Sequence, residues 1–277
     1  MKAPSLLLLT SMAVMQAFAA EERADCVLDP SAVVKVGSPV PGQLSQVLVQ
    51  RGAQVQAGQA VARLQSSVEA ATVTLARAQA QSRSEITAQE ARVALSRKKL
   101  ERANRLISTN VLAQQDLDTL QAELRIAEQD LARLTEQQQL QQLDLARANA
   151  ALDVRTIKSP IQGIVTEKTL SGGEYVSEAG HIMTIAAVDP LYVEAFLPVS
   201  LYGRIKEGQT ATVEVDAPLT GRYEAKVQVV DRVFDAASST FGVRLTLANP
   251  RGELPAGLHC KVAFQPKDSF IPTSARK

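Results

Sequence analysis

Side chains able to do chemistry are sparse and scattered in this 277-residue chain. It has two histidines, His181 and His259, and two cysteines, Cys26 and Cys260. Their wide separation gives no metal-ligand spacing. No Gly-rich phosphate loop or nucleophile elbow occurs. Carboxylates are plentiful, but they fall on stretches with helical periodicity, where they form a solvated face. His181 follows a Gly turn and His259 adjoins Cys260, and neither is assigned a catalytic role. We expect no enzyme activity, no cofactor and no metal. The chemistry that remains is that of two thiols.

The N-terminus sets the redox setting of those thiols. Met1 to Ala19 reads as a secretory signal peptide: Lys2 is the positive region, Leu6 to Val14 the short apolar core, and Ala17-Phe18-Ala19 the small-x-small cleavage site. An uncleaved anchor fits this short apolar core less well. Export exposes thiols to an oxidising compartment, so Cys26 and Cys260 are expected to form a disulfide, the alternative being two buried unpaired thiols. Lipidation of Cys26 is disfavoured by the charged Arg23-Ala24-Asp25 before it. The chain has 30 basic and 29 acidic residues. Loss of Lys2 with the leader balances them, which argues against a nucleic-acid or anionic-membrane partner. No later run reaches the roughly 20 apolar residues a bilayer span needs.

The longest periodic stretch runs from Ser66 to Leu152. Leu117, Leu124, Leu131, Leu145 and Leu152 share a seven-residue grid broken only by Gln138. Leu120, Ala127, Leu134 and Ala148 share the companion grid, broken by Gln141. Ile86, Val93, Leu100 and Ile107 supply a partner seam. Apolar residues at a and d bury one narrow seam against another helix. No Pro or Gly falls between Gln65 and Leu152, so two uninterrupted helices of about 40 residues are expected, each roughly 60 Å long. The single break signal is Ser108-Thr109-Asn110. Such an antiparallel coiled coil is a spacer or docking arm.

Two similar segments flank this arm. Ser38-Pro39-Val40-Pro41-Gly42-Gln43-Leu44 matches Ser159-Pro160-Ile161-Gln162-Gly163-Ile164-Val165 at an offset of 121 positions. The match continues with Gly52 on Gly173, Val55 on Val176 and Leu64 on Ile185. Each copy has about three short strands, too few to bury a core alone, so the copies must pack together. That packing brings Leu64-Gln65 close to Arg155-Thr156, where the arm leaves and returns. The pair resembles the half-motifs of a lipoyl or biotinyl carrier domain. A carrier presents a modifiable Lys between its halves; here no Lys occurs from Gln43 to Arg97.

Beyond Leu191 the pattern changes to short alternating strands: Tyr192 to Phe196, Thr210 to Val215, Tyr223 to Val230, Phe241 to Leu247 and Leu258 to Phe264. Pro198 to Ile205 is a candidate short helix. With a sixth strand from Val27 to Val36, which places Cys26 beside the Cys260 strand, these form a small β-barrel. The expected organisation is α+β: signal peptide 1–19, barrel-joining strand 26–36, first lipoyl half 37–65, hairpin 66–153, second lipoyl half 154–188, barrel 189–266 and a flexible tail 267–277.

A split lipoyl-like domain, an inserted α-hairpin and a β-barrel, in that order, resemble the membrane fusion protein family. These are periplasmic adaptors of tripartite efflux or secretion systems, of the resistance-nodulation-division type or related. The resemblance implies a non-catalytic periplasmic protein linking an inner-membrane transporter, at the barrel end, to an outer-membrane channel at the hairpin tip. It also implies assembly as a ring, commonly a hexamer. The family's tip often carries an Arg, a Leu four residues on and a Ser seven beyond; Arg102 and Leu106 match, and Ala113 stands at the third place. The alternative packs Leu106 into the seam beside Ile107. The family's membrane-proximal domain is expected to be absent or vestigial, so that the barrel meets the transporter directly or a second adaptor supplies the missing part. The competing function is a periplasmic coiled-coil scaffold or chaperone outside any pump.

Overall fold

A computed structural model describes residues 22–107 and 113–264 of the chain. The expected signal peptide, the tail at 267–277 and the break at Ser108-Thr109-Asn110 lie outside the described residues. The described residues form two compact units: 34–185, and 22–33 with 186–264.

The first of these holds the repeat and the arm. Its strands are β2 (Gly42–Val47), β3 (Gln54–Val55), β4 (Ala60–Leu64), β5 (Thr156–Lys158), β6 (Gly163–Lys168) and β7 (Tyr175–Val176), following the long β1 (Glu22–Gly37). The copies exchange partners. Gly42 and Gln43 of β2 pair with Val176 and Tyr175 of β7, while Gln54 and Val55 of β3 pair with Ile164 and Gly163 of β6. These two pairings are the same pairing under the 121-residue offset, which is a two-fold relation within one chain. The turns repeat it too: Gly52 N–H donates to Val165 O and Gly173 N–H to Leu44 O, 2.8 and 2.7 Å. Gly52 and Gly173 have φ of 86° and 92°, the left-handed region that a side chain resists. Buried residues also come in matched pairs, Leu44 with Val165, Val55 with Val176, Val61 with Ile182 and Leu64 with Ile185. Neither copy could fill this core alone, because each supplies half of every layer.

The arm leaves after β4 and returns at β5, where Arg63 pairs with Thr156. Arg155 closes the base: its carbonyl accepts from Leu64 N–H at 2.9 Å, and its guanidinium meets Glu69 at 2.6 Å. The returning helix, α3 (Gln114–Asp153), is 40 residues long and unbroken.

The outgoing arm corrects the sequence reading. It consists of two helices, α1 (Ser67–Gln81) and α2 (Ser84–Ile107), separated at Ser82-Arg83. Packing rather than propensity sets this break. Val73, Ala76 and Ala80 are buried along α1, but the next buried seam residue, Ile86, lies six positions after Ala80 instead of seven. A continuous helix would swing Ile86 about 100° off the seam. Two non-helical residues absorb the mismatch, with Ser82 extended at ψ 116°. Ending α1 there orphans the Ala80 carbonyl, and Gln138 Nε2 donates to it from α3. The polar break in the leucine grid is therefore the cap for the helix opposite.

The second unit is a six-stranded barrel. Strands β8 (His181–Pro198), β9 (Thr210–Val215), β10 (Gly221–Val230), β11 (Thr240–Leu247) and β12 (His259–Phe264) join β1 in the order β1-β12-β9-β10-β11-β8, and β1 pairs with β8 to close it. Closure removes sheet edges. Inward positions alternate: Leu191, Val193, Ala195 and Leu197 on β8, Ala211, Val213 and Val215 on β9, Phe241, Val243, Leu245 and Leu247 on β11. β8 runs unbroken from His181, where the sequence indicated a separate strand at Tyr192 to Phe196. The candidate helix at Pro198 to Ile205 is a single 3₁₀ turn at Val199–Leu201.

Candidate docking site on the helical hairpin

The hairpin's outer surface is arranged by its seam. Every a and d position of α3 from Leu117 to Leu152 is buried or half-buried, including Gln138 and Gln141. The facing positions are Ile86, Gln89, Val93, Ser96, Leu100 and Ala103 on α2. Gln89 reaches across the seam to donate to Ala127 O at 2.9 Å. Two inter-helix ion pairs bracket it: Arg97–Glu128 at 2.9 Å and Lys99–Glu123 at 3.9 Å. In an antiparallel pair, e meets e and g meets g, so these two contacts mark opposite flanks of the hairpin.

The sequence-predicted contact residues take their places on this frame. Arg102 and Leu106 lie in the last turns of α2, both exposed, Leu106 at 46%. With Leu95 and Lys99 they form one stripe, at spacings of four, three and four residues, on the Lys99–Glu123 flank. Leu106 is thus outside the seam, which at this end is built from Leu100, Ala103 and Leu117. Ala113 sits just before α3 in an extended conformation, φ −75° and ψ 147°, and its carbonyl accepts from Asp116 N–H at 3.1 Å. It is exposed and caps the helix with its backbone only. The structure places Arg102 and Leu106 together on one stripe and Ala113 at the start of the other helix.

Cys26 and Cys260 are brought together as directly opposed residues of β1 and β12, joined by a disulfide and almost fully buried in the barrel core. His181 and His259 are at the starts of β8 and β12, on separate strands. Among the described residues no three His, Cys, Asp or Glu side chains gather as a metal site. No helix there is long and apolar enough to cross a membrane. On the barrel's outer face, Glu194 bonds the Arg244 guanidinium, raising its pKa further, and that guanidinium stacks 4.9 Å from the Tyr192 ring. These are cross-strand contacts.

Two features escaped the sequence reading. The Ser82-Arg83 break carries no Gly or Pro signal; its only trace is the six-residue step from Ala80 to Ile86. The one-sidedness of the exposed apolar residues was visible in principle, since Ile126, Leu140 and Val154 recur every 14 positions, one place outside the seam.

Residues 32–187 match the family described as CzcB-like, barrel-sandwich hybrid domain, and residues 190–268 that described as CusB-like, beta-barrel domain. The chain is 29% identical over 265 residues to the macrolide export protein MacA of Escherichia coli O157:H7, covering 90% of this chain and 70% of that one. It is 24% identical over 194 residues to the cobalt-zinc-cadmium resistance protein CzcB of Cupriavidus metallidurans, 70% of this chain but 37% of CzcB. Among solved structures, MacA from Actinobacillus actinomycetemcomitans superposes with a TM-score of 0.71 at 21% identity, over 88% of this chain and 79% of that one. The membrane fusion protein Spr0693 of Streptococcus pneumoniae follows the same fold with a TM-score of 0.55 at 17% identity, over 89% of this chain and all of that one.

Proposed function

Since the chain belongs to the membrane fusion protein family through its CzcB-like barrel-sandwich hybrid domain, we propose that it is a periplasmic adaptor of a tripartite efflux or secretion pump. In this reading it joins an inner-membrane transporter to an outer-membrane channel, assembles as a homo-oligomeric ring and performs no catalysis. Residues 1–19 direct its export. The observation that carries the reading is the hairpin: it stands on a symmetric split domain, its returning helix α3 has 40 residues, about 60 Å, and the last turns of its outgoing helix α2 carry the exposed Arg102–Leu106 stripe. A Leu in a groove between channel helices with an adjacent Arg donating to acceptors there is a helix-in-groove contact. The relatives named for export and metal resistance agree with a transport role.

Photocrosslinking in cells tests this. A benzophenone side chain at position 106 is expected to trap an outer-membrane channel protein, and one at Gln129, mid-helix on the hairpin's back, is not. If neither position traps a channel, the tip is not a docking site and a coiled-coil scaffold becomes the better description.

A further inference from the structure

The hairpin's two flanks differ in kind. Val68 and Leu75 on α1, Leu95 and Leu106 on α2, Ile126 and Leu140 on α3, and Val154 just past its end all fall on the Lys99–Glu123 flank, with exposures between 39% and 73%. Among the described hairpin residues, the one other exposed large apolar side chain is Leu143, on the back of α3. The Arg97–Glu128 flank carries small and polar groups instead, among them Thr74, Ala94, Ala132, Gln139 and Ala146. Single exposed apolar residues are ordinary on a protein surface, but a one-sided row of them marks a contact face.

The polar flank has the complementary feature. Where α1 stops at Ser82-Arg83, the missing turn leaves a groove of about 640 Å³ on that side, floored by Ala80 and Ile86 and rimmed by Gln81, Arg83, Glu90 and Thr135. On α3 the lining runs from Thr135 to Gln142. Leu140, 63% exposed, projects from the same turns of the same helix onto the opposite flank. Knob and hole therefore lie at one level along the hairpin.

We propose that parallel copies of this chain pack side by side through this pair, Leu140 of one copy filling the groove left by the helix break of the next. A rotation about an axis parallel to the hairpin preserves level, so each knob meets its neighbour's hole without axial slip. The contact is heterologous, and repeated it closes a ring. Charges agree. Between the Arg97–Glu128 and Ala80–Gln138 contacts, Glu90 on the groove's rim falls level with Arg133, which lies on Leu140's own stripe. A neighbour's Arg133 would face Glu90. The same break has a smaller opening of about 200 Å³ beside Gln79, Ser82, Glu85 and Gln137 on Leu140's own flank, so pairing two apolar flanks face to face would leave the larger groove empty. The break thus becomes a specificity device that sets which flank meets which. This inference rests on the ring-forming adaptor reading and names the contact within it.

The test places a benzophenone at position 140 of the full chain, with position 143 as control, in ¹⁴N- and ¹⁵N-labelled copies purified from separate cultures and mixed before irradiation. The expected product is a dimer of mixed label linked from position 140 to residues 80–90 or 135–142 of the other copy, and far less dimer from position 143. Links to the apolar flank of the other copy, equal yields from the two positions, or no dimer at all would each overturn the proposal. The channel capture from position 106 is read separately. A missing channel with an intact 140-to-groove link sinks the adaptor reading and leaves the knob and hole standing; the reverse result sinks only the knob and hole.

Discussion

The barrel and the hairpin bury their apolar residues in opposite ways. The barrel gathers twenty buried residues, from Cys26 to Phe264, into one closed core, and a disulfide ties its first strand to its last. The hairpin has a seam one residue wide, and its largest buried cluster is Val73, Ala76 and Ala148 with Leu145 and Leu152 packed alongside. Depth makes the barrel's positions interdependent, whereas the hairpin spreads small contributions over many layers. A surface can be varied on the hairpin at little cost in stability, which suits a docking arm; the barrel leaves no such freedom to its inward positions.

The disulfide offers the largest test of that contrast. The cross-link closes a loop with a sequence separation of 234, and in the chain-entropy model removing it costs about 5 kcal/mol as an upper figure. Cys26→Ser with Cys260→Ser should lower the barrel's unfolding midpoint sharply in a thermal melt, and reductant should do the same to the unmodified chain. An unchanged midpoint would mean that the core alone suffices.

Next come two leucines of the same chemistry. Leu245→Ala, at a position with no exposed surface, should cost about 3–4 kcal/mol. Leu131→Ala, half-buried in the seam, should cost about 1 kcal/mol. Urea titration of both variants compares them directly, and equal costs would erase the distinction between deep core and narrow seam. A smaller effect is expected at the hairpin's base. Arg155 and Glu69 are 26% and 20% exposed, and Glu69→Gln should cost about 1 kcal/mol while speeding amide exchange in the first turns of α1. Exchange unchanged there would mean that the strands β4 and β5 alone hold the base.

The smallest effect concerns a barrel loop. Backbone N–H of Ala237, then the Ser238 hydroxyl and N–H, favour the ionised form of Asp235 and lower its pKa below the ordinary 3.8. A group whose pKa is depressed on folding stabilises the fold above the ordinary value, and that contribution fades as pH falls through the lowered one. The Ala237 amide resonance should therefore hold steady down to about pH 4 and shift only below it. A midpoint at or above the ordinary carboxylate value would contradict the capped loop.

Much of this architecture was legible from residue order. The leucine grid from Leu117 to Leu152 marked the seam, because a and d positions on a long helix have one geometric outcome. The repeated Ser-Pro-x-x-Gly segments marked a paired domain, because neither copy has strands enough for a core. The Arg102 and Leu106 positions came from the family resemblance; the four-residue step between them adds that both lie on one face. Polarity alone was misleading at Gln138, which reads as a flaw in the grid and is a cap.

Composition, periodicity and the internal repeat by themselves determined the class of fold and the narrow seam. Those properties follow from side-chain spacing and need no knowledge of a partner. Three others were decided only in the tertiary structure: the break at Ser82-Arg83, the exchange of strands between the two repeat copies, and the flank on which the exposed leucines stand. Each depends on how one segment is rotated against another far away in sequence. A six-residue step becomes a break only when a rigid helix opposite demands the seam, and a row of leucines gains a side only once that seam is formed.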